Sequence, residues 1–380
     1  MAFVLRGGRI WDGTGDEARE GSLAVDGRIA GLDGRSGESI DISGCTVVPG
    51  LIEAHAHLCF NGASDWRQVY DADSPTTMAL RMAGNGRAML EAGITTVRDL
   101  GAPTTVSIDV RDAFAQGLVA GPDLLVAGAP ITTTGGHCHF MGGEADGELE
   151  VRRAVRDRVK AGCDWIKVMA TGGNMTRGTN TLAAQFTVHE LRACIEEAHR
   201  LRKRVAAHCH GTAGIRVAVE AGVDMLEHCS FTGEGRIDFD PAVVDQIAAK
   251  GIAVSPTVSI GWRRWADDGL RRGRADALQA MFAKDCKVIM STDCGIPGVP
   301  HTALAGALDV LAEYTGISRA HALRLATSRA AQLLDLPDRG VIAESRRADL
   351  LVVEGDPLAD LLSLERVRLV VKDGEIVVRR

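Results

Sequence analysis

The chain lacks most of the signals that would take it out of ordinary globular chemistry. Its nine cysteines contain no C-x-x-C pair, and their odd number and scattered spacing argue for reduced, mostly buried thiols rather than a disulfide framework. No apolar run reaches the roughly 18 residues that a membrane span needs. Met1–Gly13 shows no signal-peptide pattern, because Gly7 and Gly8 interrupt a short apolar stretch. A cytoplasmic protein without a membrane partner is the expectation. No block of like charges is present, and a net charge of −7 argues against a nucleic-acid partner. The nearest approach to a basic run, Arg200, Arg202, Lys203 and Arg204, falls at a helix end, where cations favour the dipole.

What is present divides into ends and middle. Residues 3–48 alternate short β-type runs with turns: Phe3–Leu5, Gly21–Val25, Arg28–Leu32 and Cys45–Val48, with Asp26-Gly27 as a hairpin signal. The tail repeats the style in Asp349–Val353, Val367–Val371 and Ile376–Val378, with Asp373-Gly374 as the turn. Neither end has enough strands alone, so one small β-sandwich domain is expected from residues 1–50 plus 340–380.

The middle, residues 51–339, holds short apolar runs, each followed by a helical pattern. Counted from the one that opens this region, they are Val47–Leu58, Ile94–Asp99, Leu124–Ala129, Trp165–Ala170, Arg204–His208, Met225–His228, Ile252–Pro256 and Lys287–Asp293. Glycine after helical residues punctuates several of them, at Gly93, Gly162, Gly222 and Gly251. Eight such units predict an α/β fold, a (β/α)₈ TIM-type barrel, with a helical pair near 316–334 leading back to the β-domain.

The chemistry gathers at the predicted strand ends. His55-Ala56-His57 puts two imidazoles on one strand face, able to share one ion, although H-x-H alone is as compatible with a structural pair. Lys167 lies in the apolar run Trp165-Ile166-Lys167-Val168-Met169. A lone buried ammonium is costly, so this lysine either finds an ion partner or snorkels, or CO₂ converts it to a carbamate that can bridge two metals. His208, His228 and Asp293 end the fifth, sixth and eighth runs. Together these residues converge on the rim where barrel enzymes place their sites, which predicts a metal centre. Cys209 and Cys229 adjoin ligand candidates but face the opposite way, as packing residues.

At these residues the chain resembles the amidohydrolase superfamily. Val48-Pro49-Gly50-Leu51-Ile52-Glu53-Ala54-His55-Ala56-His57 looks like that superfamily's first strand, and Gly340–Ile342 through Ala348–Val352 is similar to its return into the β-domain. Val97–Gly101, Thr134–Cys138 and Lys167 with Ala170–Gly173 resemble the branch of prolidase-like and Xaa-Arg carboxypeptidases related to imidazolonepropionases. The resemblance implies that His55, His57 and Asp293 hold one divalent ion, that His208 and His228 hold a second, and that carbamylated Lys167 and a hydroxide bridge them. Zinc suits imidazole and carboxylate donors. It further implies amide hydrolysis of a dipeptide or N-acyl amino acid, with Asp293 as general base and acid, and a homo-oligomer acting on small molecules.

His137 and His139 follow the third strand in a Gly-rich loop. A histidine here faces the substrate in the related enzymes, so His137 is the candidate to polarise the scissile carbonyl and His139 a second contact. Gly173 and Asn174 are candidates to meet a substrate carboxylate, and His301 is a candidate rim contact. Phe231 stands where the resemblance places a Tyr against the substrate, and it cannot donate a hydrogen bond. The segment Gly261-Trp262-Arg263-Arg264-Trp265 is either a lid for an aromatic or acidic substrate or a subunit contact. The competing reading is deamination, or opening of a cyclic amide, lactone or carbamate. Single-metal relatives of that kind lack the bridging lysine, and the deaminases carry a Glu shortly after the fifth-strand His, where this chain has Cys209-His210-Gly211.

Overall fold

The computed structural model describes residues 2–31 and 37–380. Leu32, the last residue of one expected run, lies outside them. Eight strands from the two ends make one mixed sheet: Phe3–Ile10, Arg19–Asp26, Arg28–Gly31, Glu38–Asp41, Cys45–Pro49, Leu350–Glu354, Val367–Lys372 and Glu375–Arg379. The two ends meet where Leu350–Glu354 pairs antiparallel with Cys45–Pro49, Val352 opposite Val47 and Leu351 opposite Val48. Alternation along these strands divides them between two cores. Val47, Leu350, Val352 and Val371 pack inside the sheet, whereas Val48, Leu351, Val353 and Val370 join the large core of the middle region. The terminal sheet is therefore anchored through one face. Asp373 and Gly374 both adopt left-handed conformations in the two-residue turn between the last strands, as their sequence anticipates.

The middle contributes eight parallel strands, numbered here in chain order: first Leu51–Ala56, second Ile94–Asp99, third Asp123–Val126, fourth Ile166–Met169, fifth Val205–Gly211, sixth Met225–Gly233, seventh Ala253–Ser255 and eighth Lys287–Val288. The first three form one arc and the last five another. Isolated parallel bridges, Ile131–Val168 and Ala56–Cys294, tie the arcs together at both open edges. Helices follow each strand and bury one apolar stripe. In Val188–Arg200 that stripe is Leu191, Cys194, Ile195 and Ala198, and a capping box between Thr187 and Glu190 starts the helix. Gly162, Gly222 and Gly251 end three of these helices in left-handed conformation and turn the chain into the next strand. Arg319–Leu325 and Ser328–Leu334 are the expected closing pair. Among the described residues no helix is long and apolar enough to cross a membrane.

Candidate metal centre

Every histidine singled out at a strand end, together with Lys167 and Asp293, falls on one rim. The rings form a continuous row. Centroids are 5.3 Å apart for His55–His57, 5.2 Å for His55–His228, 4.5 Å for His208–His228 and 4.6 Å for His137–His208. His210 stacks on His228 at 4.5 Å. Two groups place their donor atoms within metal-sharing reach, His55/His228/Asp293 and His208/His210/His228. His210 thus stands level with the candidate ligands.

Hydrogen bonds fix which ring nitrogens are free. His55 Nδ1 donates to Glu227 Oε2 at 2.8 Å, and His57 Nδ1 donates to the Gly101 carbonyl at 2.9 Å. In its neutral form each ring therefore turns a bare Nε2 inward; burial works against a second proton on His57, but the Asp293 carboxylate outweighs it and raises that imidazole above its ordinary value. Asp293 Oδ1 lies 3.4 Å from His55 Nε2 and 3.2 Å from His57 Nε2, yet accepts no hydrogen bond. Three potential ligand atoms thus converge on one point without a hydrogen bond among them, an arrangement that a cation would hold together. Lys167 Nζ is likewise buried without a partner. Burial pulls its ammonium toward the neutral amine, against the opposing pull of Glu227 and Asp293. The donor set fits divalent cations.

Beneath the rim lies an ion network that sequence reasoning did not find. Glu227 is fully buried; burial disfavours its charge, but Arg98 and His55 outweigh that and hold its carboxyl down to about 2. Arg98 donates from Nη2 to Glu227 Oε1 at 2.8 Å and from Nε to the Ala54 carbonyl at 2.7 Å. Arg98 thus pairs across the strands and not with its neighbour Asp99, because neighbours on a strand face opposite ways. Asp99 instead accepts from the Leu58 and Gly101 amides, shaping the loop behind His57. Buried Glu53 accepts from the backbone amides of His55 and Thr292 and from the Thr292 hydroxyl, so it ties the first strand to the segment that carries Asp293. Burial pushes Glu53 up to about 7. Both glutamates sit in apolar strand sequence, as Lys167 does, and that signal was available.

The backbone is strained where the site is built. His228, Thr257 and Asp293 all have φ between +50° and +65°, which side-chain-bearing residues rarely adopt and which clusters at functional sites.

A cavity of about 290 Å³ opens above the histidine row. His137 and Asn174 line it, and His137 Nδ1 lies 3.0 Å from the Thr176 hydroxyl. The other tentative contacts fall elsewhere. A Cβ on Gly173 would lie 2.3 Å from His137 Nε2, so this glycine backs that ring. His301 Nε2 reaches the His57 carbonyl at 3.2 Å from behind the wall. Phe231 is fully buried against Phe239, and His139 packs edge-on to Phe140. Neither lines the cavity. Cys209 and Cys229 are buried packing residues, as read. Arg264 and Trp265, of the segment read as a lid or a subunit contact, line the cavity, joined by Ser259, which the sequence did not single out.

Residues 46–377 match the amidohydrolase family. An ochratoxinase of Aspergillus niger is 30% identical over 94% of this chain and 82% of its own length. An imidazolonepropionase of Rhodococcus jostii is 26% identical over 93% and 82%. The crystal structure of a Xaa-Pro dipeptidase with bound methionine in its active site superposes with a TM-score of 0.88 at 28% identity, covering 99% of both chains.

Proposed function

This chain belongs to the amidohydrolase family, and on that premise we propose that it is a binuclear hydrolase that cleaves an amide bond in a dipeptide or N-acyl amino acid. It is a metal-dependent enzyme of carbon–nitrogen bonds. We read residues 51–339 as a (β/α)₈ barrel, supported by the two bridges that join its arcs, and residues 1–50 with 340–380 as a β-sandwich domain. His55, His57 and Asp293 would hold one ion, and His208 and His228 a second, with zinc as the metal. Lys167 would bridge them as a carbamate: its neutral Nζ attacks CO₂, forms an N–C bond, loses a proton and becomes an anionic carboxylate. The convergence of His55 Nε2, His57 Nε2 and Asp293 Oδ1 without a hydrogen bond among them carries this reading.

When bound, such ions supply an acidified water and a polarised scissile carbonyl. The chain's own residues do the rest. Asp293 has a second oxygen free to take the water's proton and deliver it to the leaving nitrogen. Thr176 Oγ1 accepts from the Cys138 amide, and we assign its hydroxyl proton to His137 Nδ1. That leaves His137 Nε2–H as the donor for the substrate's carbonyl oxygen. Glu227 fixes the tautomer of His55, and Gly101 that of His57.

The dipeptidase likeness supports the peptide or N-acyl reading. The imidazolonepropionase likeness supports opening of a cyclic amide as the alternative, against which Lys167 weighs. A release assay on zinc-loaded, bicarbonate-treated protein against dipeptides and N-acyl amino acids tests the choice. Turnover with a preferred C-terminal residue is expected. No turnover from protein carrying its full metal complement would overturn the substrate class in favour of lactams, lactones and carbamates.

A further inference from the structure

The loop after the seventh strand builds one wall of the cavity mouth, and its arginines are not equivalent. The short helix Ile260–Arg264 is started by the Ser259 hydroxyl, which accepts from the Gly261 amide. Arg263 points outward and is bound to Asp309 at 2.6 Å and Glu313 at 2.7 Å. Trp262 is buried and stacks on Trp265, with centroids 5.4 Å apart. Arg274 lies over both rings and donates to the Pro256 carbonyl. Arg271 and Arg272 both engage Asp268. These contacts fix the segment and occupy every neighbouring guanidinium.

Arg264 differs. Among the described residues it makes no ion pair or hydrogen bond, and it lines the cavity. A methyl group on Gly298 would lie 3.7 Å from its Nη2, so the guanidinium reaches across the mouth to the opposite rim, Ile296–Val299. Among the described residues Asp293 is the only carboxylate lining this cavity, and it belongs to the row of candidate metal ligands. The mouth therefore presents one unpartnered planar cation beside an apolar wall of Trp265, Met175, Phe60 and Ile296.

We propose that Arg264 binds the free carboxylate of the substrate's leaving amino acid, with Trp265 as the wall for that residue's apolar side chain. The guanidinium fork matches a carboxylate in two parallel hydrogen bonds. The substrate class is thereby narrowed to acylated amino acids and dipeptides with an unblocked C-terminus and an apolar, preferably aromatic, last residue. This rests on the amide-hydrolase reading above and adds the residue that selects within it.

The test compares N-acetyl-L-phenylalanine with its C-terminal amide on the zinc-loaded enzyme and its Arg264→Gln and Arg264→Lys variants. The acid is expected to have a kcat/KM about tenfold or more above the amide, the size of one charge-assisted hydrogen-bonded contact, expressed in KM rather than kcat. Arg264→Gln should erase that preference, bringing acid and amide to similar rates, and Arg264→Lys should restore part of it. Equal rates on acid and amide in the wild type, or a preference that survives Arg264→Gln, overturns the proposal while leaving amide hydrolysis standing. If neither compound is hydrolysed, equilibrium dialysis of the same pair reads the same contrast. An acid preference in binding that Arg264→Gln removes then supports the carboxylate site while the hydrolase reading falls. Absence of that preference overturns the site as well.

Discussion

At the scale of single residues, the account turns on protons that are spent elsewhere. His55 and His57 use their Nδ1–H groups on Glu227 and the Gly101 carbonyl, and so turn their Nε2 atoms toward Asp293. Glu227 therefore serves twice, as the anchor of His55 and as the counter-charge of buried Arg98. Glu227→Gln should cost about 3–5 kcal/mol in chemical denaturation, because Arg98 is left buried and unpaired. It should also weaken zinc binding about tenfold or more in a chelator titration. A variant of wild-type stability and affinity would remove Glu227 from the site. Asp293→Asn keeps a ligand oxygen but loses the proton acceptor. Its kcat should fall about 100-fold or more, and near-wild-type turnover would reassign the base.

The candidate ligands were legible because each closes an apolar run of sequence: His55, His57, His208, His228 and Asp293 needed only period and position. Lys167 was legible because an ammonium in Ile166-Lys167-Val168 is costly. The same reasoning applies to Glu53 and Glu227, but their partners lie 239 and 129 residues away in sequence, and one sequence does not disclose such pairings. Arg264 was visible only as a member of an unusual segment. Its lack of a partner is a fact of packing.

At the scale of elements, strand order and helix punctuation followed from glycines and apolar periodicity. The strand Glu38–Asp41 was not anticipated. It is four residues long, mostly exposed, and held by parallel pairing to Phe3–Ile10. Phe3–Ile10 itself continues through Gly7-Gly8, where the sequence suggested an end. A Cβ on Gly8 would lie 2.7 Å from the Ile42 carbonyl, so the glycine lets the strand pass close to its neighbour. The junction between the terminal sheet and the first parallel strand is equally tight. A Cβ on Gly50 would lie 2.3 Å from Thr95 Oγ1. Gly50→Ala should destabilise the protein by about 1–3 kcal/mol through overpacking, seen as a lower Tm. An unchanged Tm would show that Thr95 moves aside freely.

At the scale of the whole molecule, the two ends and the middle are joined by charge as well as by apolar packing. Asp123, at the start of the third strand, meets Lys372 at 2.8 Å and Arg347 at 2.9 Å, and also pairs with Arg339. Lys372 and Arg347 come from the C-terminal segment, and Arg339 is the residue that leads into it. Burial disfavours the ionised carboxylate, but Lys372, Arg347 and Arg339 outweigh it and hold Asp123 below its ordinary value. A lowered folded pKa adds stability that is fully present above the unfolded value, about 4, and is lost as pH falls through the folded value. Asp123→Asn should therefore lower Tm near neutrality and flatten its fall below about pH 4. Parallel curves for the two proteins would assign the acid sensitivity elsewhere.

The binuclear centre itself is tested most directly by metal content. Wild-type protein and Lys167→Ala, both reconstituted with zinc and bicarbonate, would be desalted and counted by mass spectrometry beside a turnover assay. About two ions per chain in the wild type, and about one or none with lost turnover in the variant, is the expected result. An equal metal count and unchanged turnover in the two proteins would contradict a lysine-bridged pair of ions.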